Sequence, residues 1–315
     1  MNILITGIHG FVGSNLVESL KDNNTIYGLD IITPTIEGVY QTFTWDELTL
    51  GSIPEIDAII HLAGKAHDTK NKSEAKVYFD INTGLTQKIF DYFLDSTAKK
   101  FIFFSSVKAA ADSVIGDILT EDVKPNPIGP YGESKIKAED YILSKVDELE
   151  EKNKSFIILR PCMIHGPGNK GNLNLLYSLI KKGIPWPLGS FDNSRSFTSI
   201  DNLKFAISKI LVSDIRNGIY HIGDDEPIST NELIRTICSS IDKKARVLNI
   251  PKGLIRFFAS IGDILHLPLN SDKLKKLTEN YVVSNEKLKK ELGITNFPIS
   301  SKHGLEITLK SFQIK

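Results

Sequence analysis

The run Asn2-Ile3-Leu4-Ile5-Thr6-Gly7-Ile8-His9-Gly10-Phe11-Val12-Gly13 constrains this chain more than any other segment. An apolar strand passes directly into a loop with glycines at 7, 10 and 13, and the last of them opens a helix. The first glycine allows a tight turn, the second lets the main chain approach a pyrophosphate, and the third lets helix and strand pack closely. The helix start offers free N–H groups and the positive end of its dipole to phosphate oxygens. Asp30 follows at the end of the second apolar run, about 20 residues on, where a carboxylate grips the hydroxyls of an adenosine ribose. Its neighbours Ile31 and Ile32 bring no arginine for a 2′-phosphate, so NAD is expected rather than NADP. A glycine-rich turn with a helix-capping Asp is the plainer reading of the same residues. The strand, loop, helix and acid in sequence favour the dinucleotide site.

Beyond the loop, short apolar runs alternate with amphipathic ones. Strands are expected at Asn2–Thr6, Thr25–Asp30, Ala58–Leu62, Phe101–Ser106 and Ser155–Arg160, and helices over Phe11–Lys21, Ala75–Leu94 and Tyr131–Leu149. Continuous apolar strands separated by helices indicate a parallel sheet covered on both faces, an α/β, Rossmann-like, doubly wound architecture. Ligands on such a sheet bind at the carboxyl ends of its strands. The texture changes after Pro161, at the loop Gly166-Pro167-Gly168-Asn169-Lys170-Gly171. We therefore expect a dinucleotide-binding domain over residues 1–165 and a smaller C-terminal substrate-binding region over 166–315. Ile219-Tyr220-His221-Ile222 could return to the main sheet as another strand.

Lys plus Arg and Asp plus Glu both number 38, so the chain is formally neutral. No global field or long basic run is available to hold a nucleic acid. The mixed-sign clusters at Lys70–Lys76, Glu148–Lys154 and Lys287–Glu291 are expected to be solvated surface. Two cysteines, Cys162 and Cys238, make no disulfide framework and suit a reducing compartment. With no leader-like segment before Asn2, a cytoplasmic protein is expected. Leu254–Leu269 is apolar but too short to span a bilayer, and is expected to be a buried or groove-lining helix rather than a membrane-surface one. The seven histidines, His61 and His67 included, lack helical metal-ligand spacing beside carboxylates, so no metal is expected.

Tyr131-Gly132-Glu133-Ser134-Lys135 places a phenol and an ammonium four residues apart, on one face of a helix. A free tyrosine, with a pKa of about 10, is a poor base near neutrality, and a neighbouring ammonium favours the phenolate. The same lysine can hold the nicotinamide ribose. Ser105-Ser106 closes the preceding strand, where a hydroxyl could hold the substrate hydroxyl that Tyr131 deprotonates. Alone the Tyr/Lys spacing is common on helix surfaces. After a dinucleotide loop and a strand ending in Ser-Ser, it points to an acid/base site.

Over nearly its whole length the chain resembles the extended short-chain dehydrogenase/reductases, specifically the nucleotide-sugar epimerase/dehydratase family. The resemblance rests on the glycine loop, His61-Leu62-Ala63-Gly64, Asn82, Ser105-Ser106 and the Tyr131/Lys135 pair. It continues through Leu159-Arg160-Pro161, Arg195-Ser196-Phe197, Asp201-Asn202-Leu203 and the run from Tyr220 to Leu233. It implies that Gly7, Gly10, Phe11, Val12 and Gly13 bind the NAD pyrophosphate, Asp30 the adenosine ribose and Lys135 the nicotinamide ribose. Ala63 and Gly64 would line the cofactor cleft. Ser106 and Tyr131 would be catalytic together with Lys135. Ser105, Asn172, Leu173 and Arg195 would meet the substrate, with Arg195 clamping a diphosphate as arginine forks do. A homodimer through Ala75–Leu94 and Tyr131–Leu149 is implied as well.

The chain also departs from the family. Val107-Lys108 stands where the 4,6-dehydratases carry Asp-Glu, so dehydration is disfavoured, and Ala109-Ala110-Ala111-Asp112 replaces an aromatic-glycine turn. The resemblance then implies redox chemistry at C4 of a nucleotide sugar. A UDP-hexose or UDP-N-acetylhexosamine 4-epimerase comes first, with a 4-keto-6-deoxy-sugar reductase of surface-polysaccharide synthesis as the alternative. A non-catalytic nucleotide sensor on the same fold would have no need of the Ser/Tyr/Lys set. Cys162 is expected to be a small buried hydrophobe, and His9 to pack or meet solvent.

Overall fold

In the computed structural model, described over residues 1–49, 51–65, 74–169, 171–265 and 269–313, the apolar runs become a parallel sheet. His67 and most of the Lys70–Lys76 cluster lie outside the described residues. The strands are β1 (Asn2–Thr6), β2 (Thr25–Asp30), β3 (Gln41–Thr44), β4 (Ala58–His61), β5 (Lys100–Phe104), β6 (Ser155–Pro161), β7 (Met163–His165), β8 (Phe197–Ser199) and β9 (Gly218–Ile222). Seven of them form the main sheet in the order β3-β2-β1-β4-β5-β6-β9, while β7 and β8 pair separately. The connecting helices of the first half are α1 (Phe11–Leu20), α2 (Ala75–Tyr78), α3 (Leu85–Asp95), α4 (Val107–Ala110), α5 (Pro130–Leu143) and α6 (Val146–Glu151). The second half carries α7 (Asn172–Lys181), α8 (Ile200–Val212), α9 (Thr230–Ser240), α10 (Lys252–Leu265), α11 (Ser271–Thr278), α12 (Glu286–Leu292) and α13 (Ser301–Ser311).

Successive residues of a strand point to opposite faces, and here both faces are covered. Ile3, Ile5, Ile60, Ile157 and Leu159 pack with α1 and α8. Leu4, Ile59, Phe101, Phe103 and Ile158 pack with α3 and α5 on the other side. A third cluster, containing Leu173, Trp186, Ile234, Leu274 and Leu305, joins the late helices. Sheet order reverses between β1 and β4, where Thr6 lies opposite His61. That switch point opens the cleft at the carboxyl ends of the strands.

Several elements differ from expectation. The Ala75–Leu94 helix is interrupted by a π-helical stretch, Phe79–Gly84, which carries the buried Asn82. The helix over Tyr131–Leu149 breaks between α5 and α6 at Ser144 and Lys145. Short β3, β7 and β8 offer too few residues for a period to register. The Leu254–Leu269 segment is not a buried helix. Only Ile255, Ala259 and Gly262 of α10 are buried, and its larger apolar residues face solvent. Among the described residues no helix is long and apolar enough to cross a membrane.

Helix α1 is seated by an absence of side chain. A Cβ at Gly13 would stand 2.6 Å from the carbonyl oxygens of both Gly7 and Ile8. Gly253, at the start of α10, has nothing within 4 Å of the same added atom. Gly13→Ala is therefore expected to lose about 2 kcal/mol or more of unfolding free energy in urea titrations. Gly253→Ala should be neutral or gain up to about 1 kcal/mol. Equal effects at the two positions would contradict this seating.

Candidate active site

The turn after β1 needs Gly7, whose φ is +69° and whose Cβ would meet the Ala63 main chain at 2.9 Å. Gly10 caps α1 with no side chain of its own. A cavity of ≈ 340 Å³ lies at this helix start, lined by His9, Gly10, Phe11, Ser14 and Gly168. The Phe11 ring packs beneath Gly166, so the loop after β7 reaches over α1, and Val12 leans on the sheet core. Asp30 stands at the rim. One carboxylate oxygen accepts from the His9 main-chain N–H at 3.1 Å and faces His9 Nδ1 at 3.1 Å, while the other accepts from the Ile31 N–H at 2.7 Å. A bare helix N-terminus, main chain free to approach phosphate, and a fixed carboxylate fit a dinucleotide.

Across the switch point a chain of hydrogen bonds shapes the opposite wall. The Ala63 N–H donates to Thr6 Oγ1 at 3.0 Å, and Thr6 Oγ1 meets His61 Nδ1 at 2.6 Å. His61 Nε2 meets Thr86 Oγ1 at 2.9 Å, and that hydroxyl donates to the Asn82 carbonyl at 2.6 Å. Each hydroxyl gives its proton once if His61 is neutral with the hydrogen on Nε2. Burial, with Lys135 nearby, holds its pKa well below the ordinary value. The Asn82 side chain then accepts from the Lys65 N–H at 2.7 Å and donates to Ser134 Oγ at 2.9 Å. Gly64 backs directly onto Asn82 and the Lys135 ammonium. His61 and Asn82 are thus scaffold, tying the loop after β4 to α5.

Tyr131 and Lys135 both face the carboxyl end of β5. The Tyr131 phenol is hydrogen-bonded to the Ser106 side chain, and its ring meets the Tyr78 ring edge-on at 6.4 Å. Ser106 also caps α4, accepting from the Lys108 N–H at 3.2 Å. Lys135 Nζ donates to the Phe104 carbonyl at 2.8 Å and lies 4.9 Å over the Phe103 ring. Burial pushes the Lys135 pKa down to about 8, although Glu139 opposes the shift. Burial also raises the Tyr131 pKa, with the Ser106 bond pulling the other way. The expected lowering of the phenol is therefore not present in the protein alone, where desolvation outweighs the Ser106 hydrogen bond.

Ser105 was expected to meet substrate, but its hydroxyl donates to Glu139 Oε1. The same buried carboxylate takes both prongs of Arg160, Nε at 2.9 Å and Nη2 at 2.5 Å. This pair holds the base of α5 to β6, so Ser105 belongs to the support beneath the site. Leu173 is likewise core, packed with Tyr177, Ile180 and Trp186, which leaves only its main chain for a ligand. Asn172 is exposed at the first turn of α7. Arg195 donates from Nη1 to the Lys276 carbonyl, and burial lowers its pKa.

Tyr281 carried no sequence signal, since it lies in a short irregular segment. Its main chain brackets Arg195 through Ser194 and Ser196, and its phenol donates to the Ala111 carbonyl at 2.7 Å. It links the guanidinium to the wall built by α4. On that wall Lys108 Nζ is bonded to Asp112 Oδ1 at 3.0 Å and lies over the Tyr281 ring. Cys162 is buried with Val107, Tyr281 and Val283, and burial raises its thiol pKa. A larger cleft of ≈ 590 Å³ opens at the amino ends of β5 and β6. There Lys100 and Lys154 are occupied by the carbonyls that end α8 and α3. Among the described residues no cluster of three His, Cys, Asp or Glu could hold a metal.

Comparison with known proteins adds to this geometry. Residues 3–223 match the model of the NAD dependent epimerase/dehydratase family. The chain is 29% identical to a UDP-glucose 4-epimerase of Vibrio cholerae, over 99% of this chain and 95% of that one. It is 26% identical to the N-acetyl-alpha-D-glucosaminyl-diphospho-ditrans,octacis-undecaprenol 4-epimerase of Escherichia coli O157:H7, over 96% of this chain and 88% of that one. Its fold superposes on a UDP-glucuronic acid 4-epimerase of Bacillus cereus, solved with UDP-glucuronic acid and NAD, with a TM-score of 0.75 at 22% identity and full coverage of both chains.

The buried ammonium of Lys135 makes stability depend on pH. Its pKa is about 8 in the folded chain and 10.5 when exposed, so between those values the unfolded chain binds the extra proton. Stability contributed at this position therefore rises with pH across that window. Urea unfolding of the wild type and Lys135→Met should show the difference moving in favour of the wild type as pH rises from about 8 to 10.5. A constant difference would place the ammonium in solvent.

Proposed function

This chain belongs to the NAD dependent epimerase/dehydratase family, and we propose that it interconverts the C4 epimers of a UDP-hexose or UDP-N-acetylhexosamine. One observation carries the reading: a dinucleotide cradle and the bonded Tyr131–Ser106 pair share the carboxyl end of one sheet. NAD is the cofactor of the family. The relatives named above are 4-epimerases of sugars carried on a diphosphate, which supports epimerisation over net reduction. Val107-Lys108 supplies no carboxylates for water elimination, and the Lys108 ammonium is engaged with Asp112.

The glycine loop from Gly7 to Gly13, with Phe11 and Val12, would hold the pyrophosphate, and Asp30 the adenosine ribose. Ala63 and Gly64 would border the cofactor, and Lys135 would hold its second ribose. When bound, NAD would supply reversible two-electron redox chemistry at carbon. Tyr131 Oη takes the proton of the 4-hydroxyl as that oxygen becomes a carbonyl, then returns it to the epimeric oxygen. Ser106 Oγ, already bonded to the phenol, holds the sugar oxygen in line. Asn172 and Arg195 hold the nucleotide end, with Arg195 set against the diphosphate by its bond to Lys276.

A hexose on a polyprenyl diphosphate is a second reading. The Escherichia coli relative is named for such a compound, and α10 here presents large apolar side chains to solvent.

Incubating the protein with UDP-glucose, UDP-N-acetylglucosamine and a polyprenyl-diphospho-N-acetylglucosamine, and following C4 epimers by NMR, tests the substrate. At least one epimer pair should form without added NADH. Tyr131→Phe should cut turnover at least about a hundredfold while NAD and UDP still bind. Near-wild-type turnover in that variant would remove the proposed acid/base.

A further inference from the structure

Helix α10 is amphipathic in an unusual direction. Leu254, Phe257, Phe258, Ile261, Ile264 and Leu265 recur at the spacing of one helical face. That face points outward: Phe257 is 59% exposed, Phe258 54%, Ile264 78% and Leu265 63%. The inward face is made of Ile255, Ala259 and Gly262, the last lying against the Leu269 carbonyl. Asp263 accepts from the Ser271 N–H at 2.9 Å and the Ser271 hydroxyl at 2.5 Å, which fixes α10 to the start of α11. The stripe is therefore the outward face of a helix that is bonded to its neighbour.

We propose that α10 is a membrane-docking helix that seats the protein on an anionic bilayer. Charge supplies the second argument. Between residues 243 and 276 there are eight Lys or Arg and two Asp, with no Glu, in a chain that is formally neutral as a whole. Lys252 and Arg256 are exposed and, by helical spacing, lie off the phenylalanine stripe, with Lys252 Nζ 5.7 Å over the Phe191 ring. Basic residues on the flank of an apolar face are the arrangement of helices that lie in a lipid interface. Fourteen residues make a helix about 21 Å long, which lies along a surface and does not cross it. A second copy of the chain is a poorer occupant, because a two-fold contact would bring two equally basic segments together. Apolar side chains in the acyl boundary and basic ones at anionic headgroups satisfy both halves of the feature.

The test uses the full chain and vesicles of phosphatidylcholine, alone or with phosphatidylglycerol, in cosedimentation without sugar or cofactor. Its outcome is thus separate from that of the epimerase reading. The protein should sediment with the phosphatidylglycerol vesicles, and less so as salt is raised. Phe257→Ser/Phe258→Ser should lower the partition at least about tenfold, and Lys252→Glu/Arg256→Glu should lower it on anionic vesicles. Ile264→Ser/Leu265→Ser provides a second apolar variant if the first does not fold. Folded variants should keep the wild-type melting temperature and NAD affinity. Failure to bind anionic vesicles, or equal binding by a folded apolar variant, would overturn the proposal. So would an oligomer that the apolar variants disperse in a protein that ignores vesicles.

Discussion

Two approaches of main chain to main chain, each too close for a side chain between them, set the geometry on which the rest of this structure depends. At Gly7 the turn after β1 comes against Ala63, and at Gly13 the first turn of α1 comes against the carbonyls of Gly7 and Ile8. The first fixes the distance between the strand ends at the switch point, and the second aims the bare start of α1 into the cleft. From Ala63 the hydrogen bonds run through Thr6, His61 and Thr86 to Asn82, and from Asn82 to Ser134 on α5. The helix that carries Tyr131 and Lys135 is thereby held in register with the loop that would carry the cofactor. Positioning, more than the identity of any one side chain, is what the fold contributes.

The electrostatics of the site are set by burial. Desolvation raises the Tyr131 phenol and lowers the Lys135 ammonium, so both groups are pushed toward their neutral forms. The Arg160–Glu139 pair beneath them is fully enclosed and bidentate, and it takes the Ser105 hydroxyl as well. Such a pair adds little net stability against an apolar replacement, but losing one partner leaves a charge buried alone. Its place at the foot of α5 suits a group whose task is to keep a helix face from shifting. A cation arriving with the cofactor would act on the phenol in the direction opposite to burial, which would couple cofactor binding to the competence of Tyr131 as the proposed base.

The sequence already carried the parallel sheet, because buried strands such as Ala58–His61 and Lys100–Phe104 are continuous apolar runs between amphipathic ones. The glycine loop and the Tyr131/Lys135 spacing were legible for a similar reason, since one turn of chain or helix brings each group together. Ser106, by contrast, stands 25 residues before Tyr131 and meets it only through the packing of α4 on α5. Features fixed by distant packing were not legible. Whether Ser105 or Ser106 faces the cleft depends on Glu139, which is 34 residues from Ser105. Leu173 follows Asn172 into α7, and only the third cluster decides that its side chain turns inward. Tyr281 reaches the site from an irregular segment without a period. Apolar residues suggest burial, whereas the narrow inward face of α10, Ile255, Ala259 and Gly262, leaves both phenylalanines, Ile264 and Leu265 outside.

The central claim is that the hydrogen removed from C4 stays within the site until it returns to C4, while only the hydroxyl proton passes through Tyr131. Epimerisation of the accepted sugar nucleotide in deuterium oxide tests this directly, with the C4 position of the product read by NMR and mass spectrometry. The account predicts an epimer that retains its original hydrogen at C4 and gains no deuterium on carbon. Deuterium at C4 would contradict it, since the carbon would then be exchanging with solvent by a route that this arrangement of Ser106, Tyr131 and Lys135 does not provide.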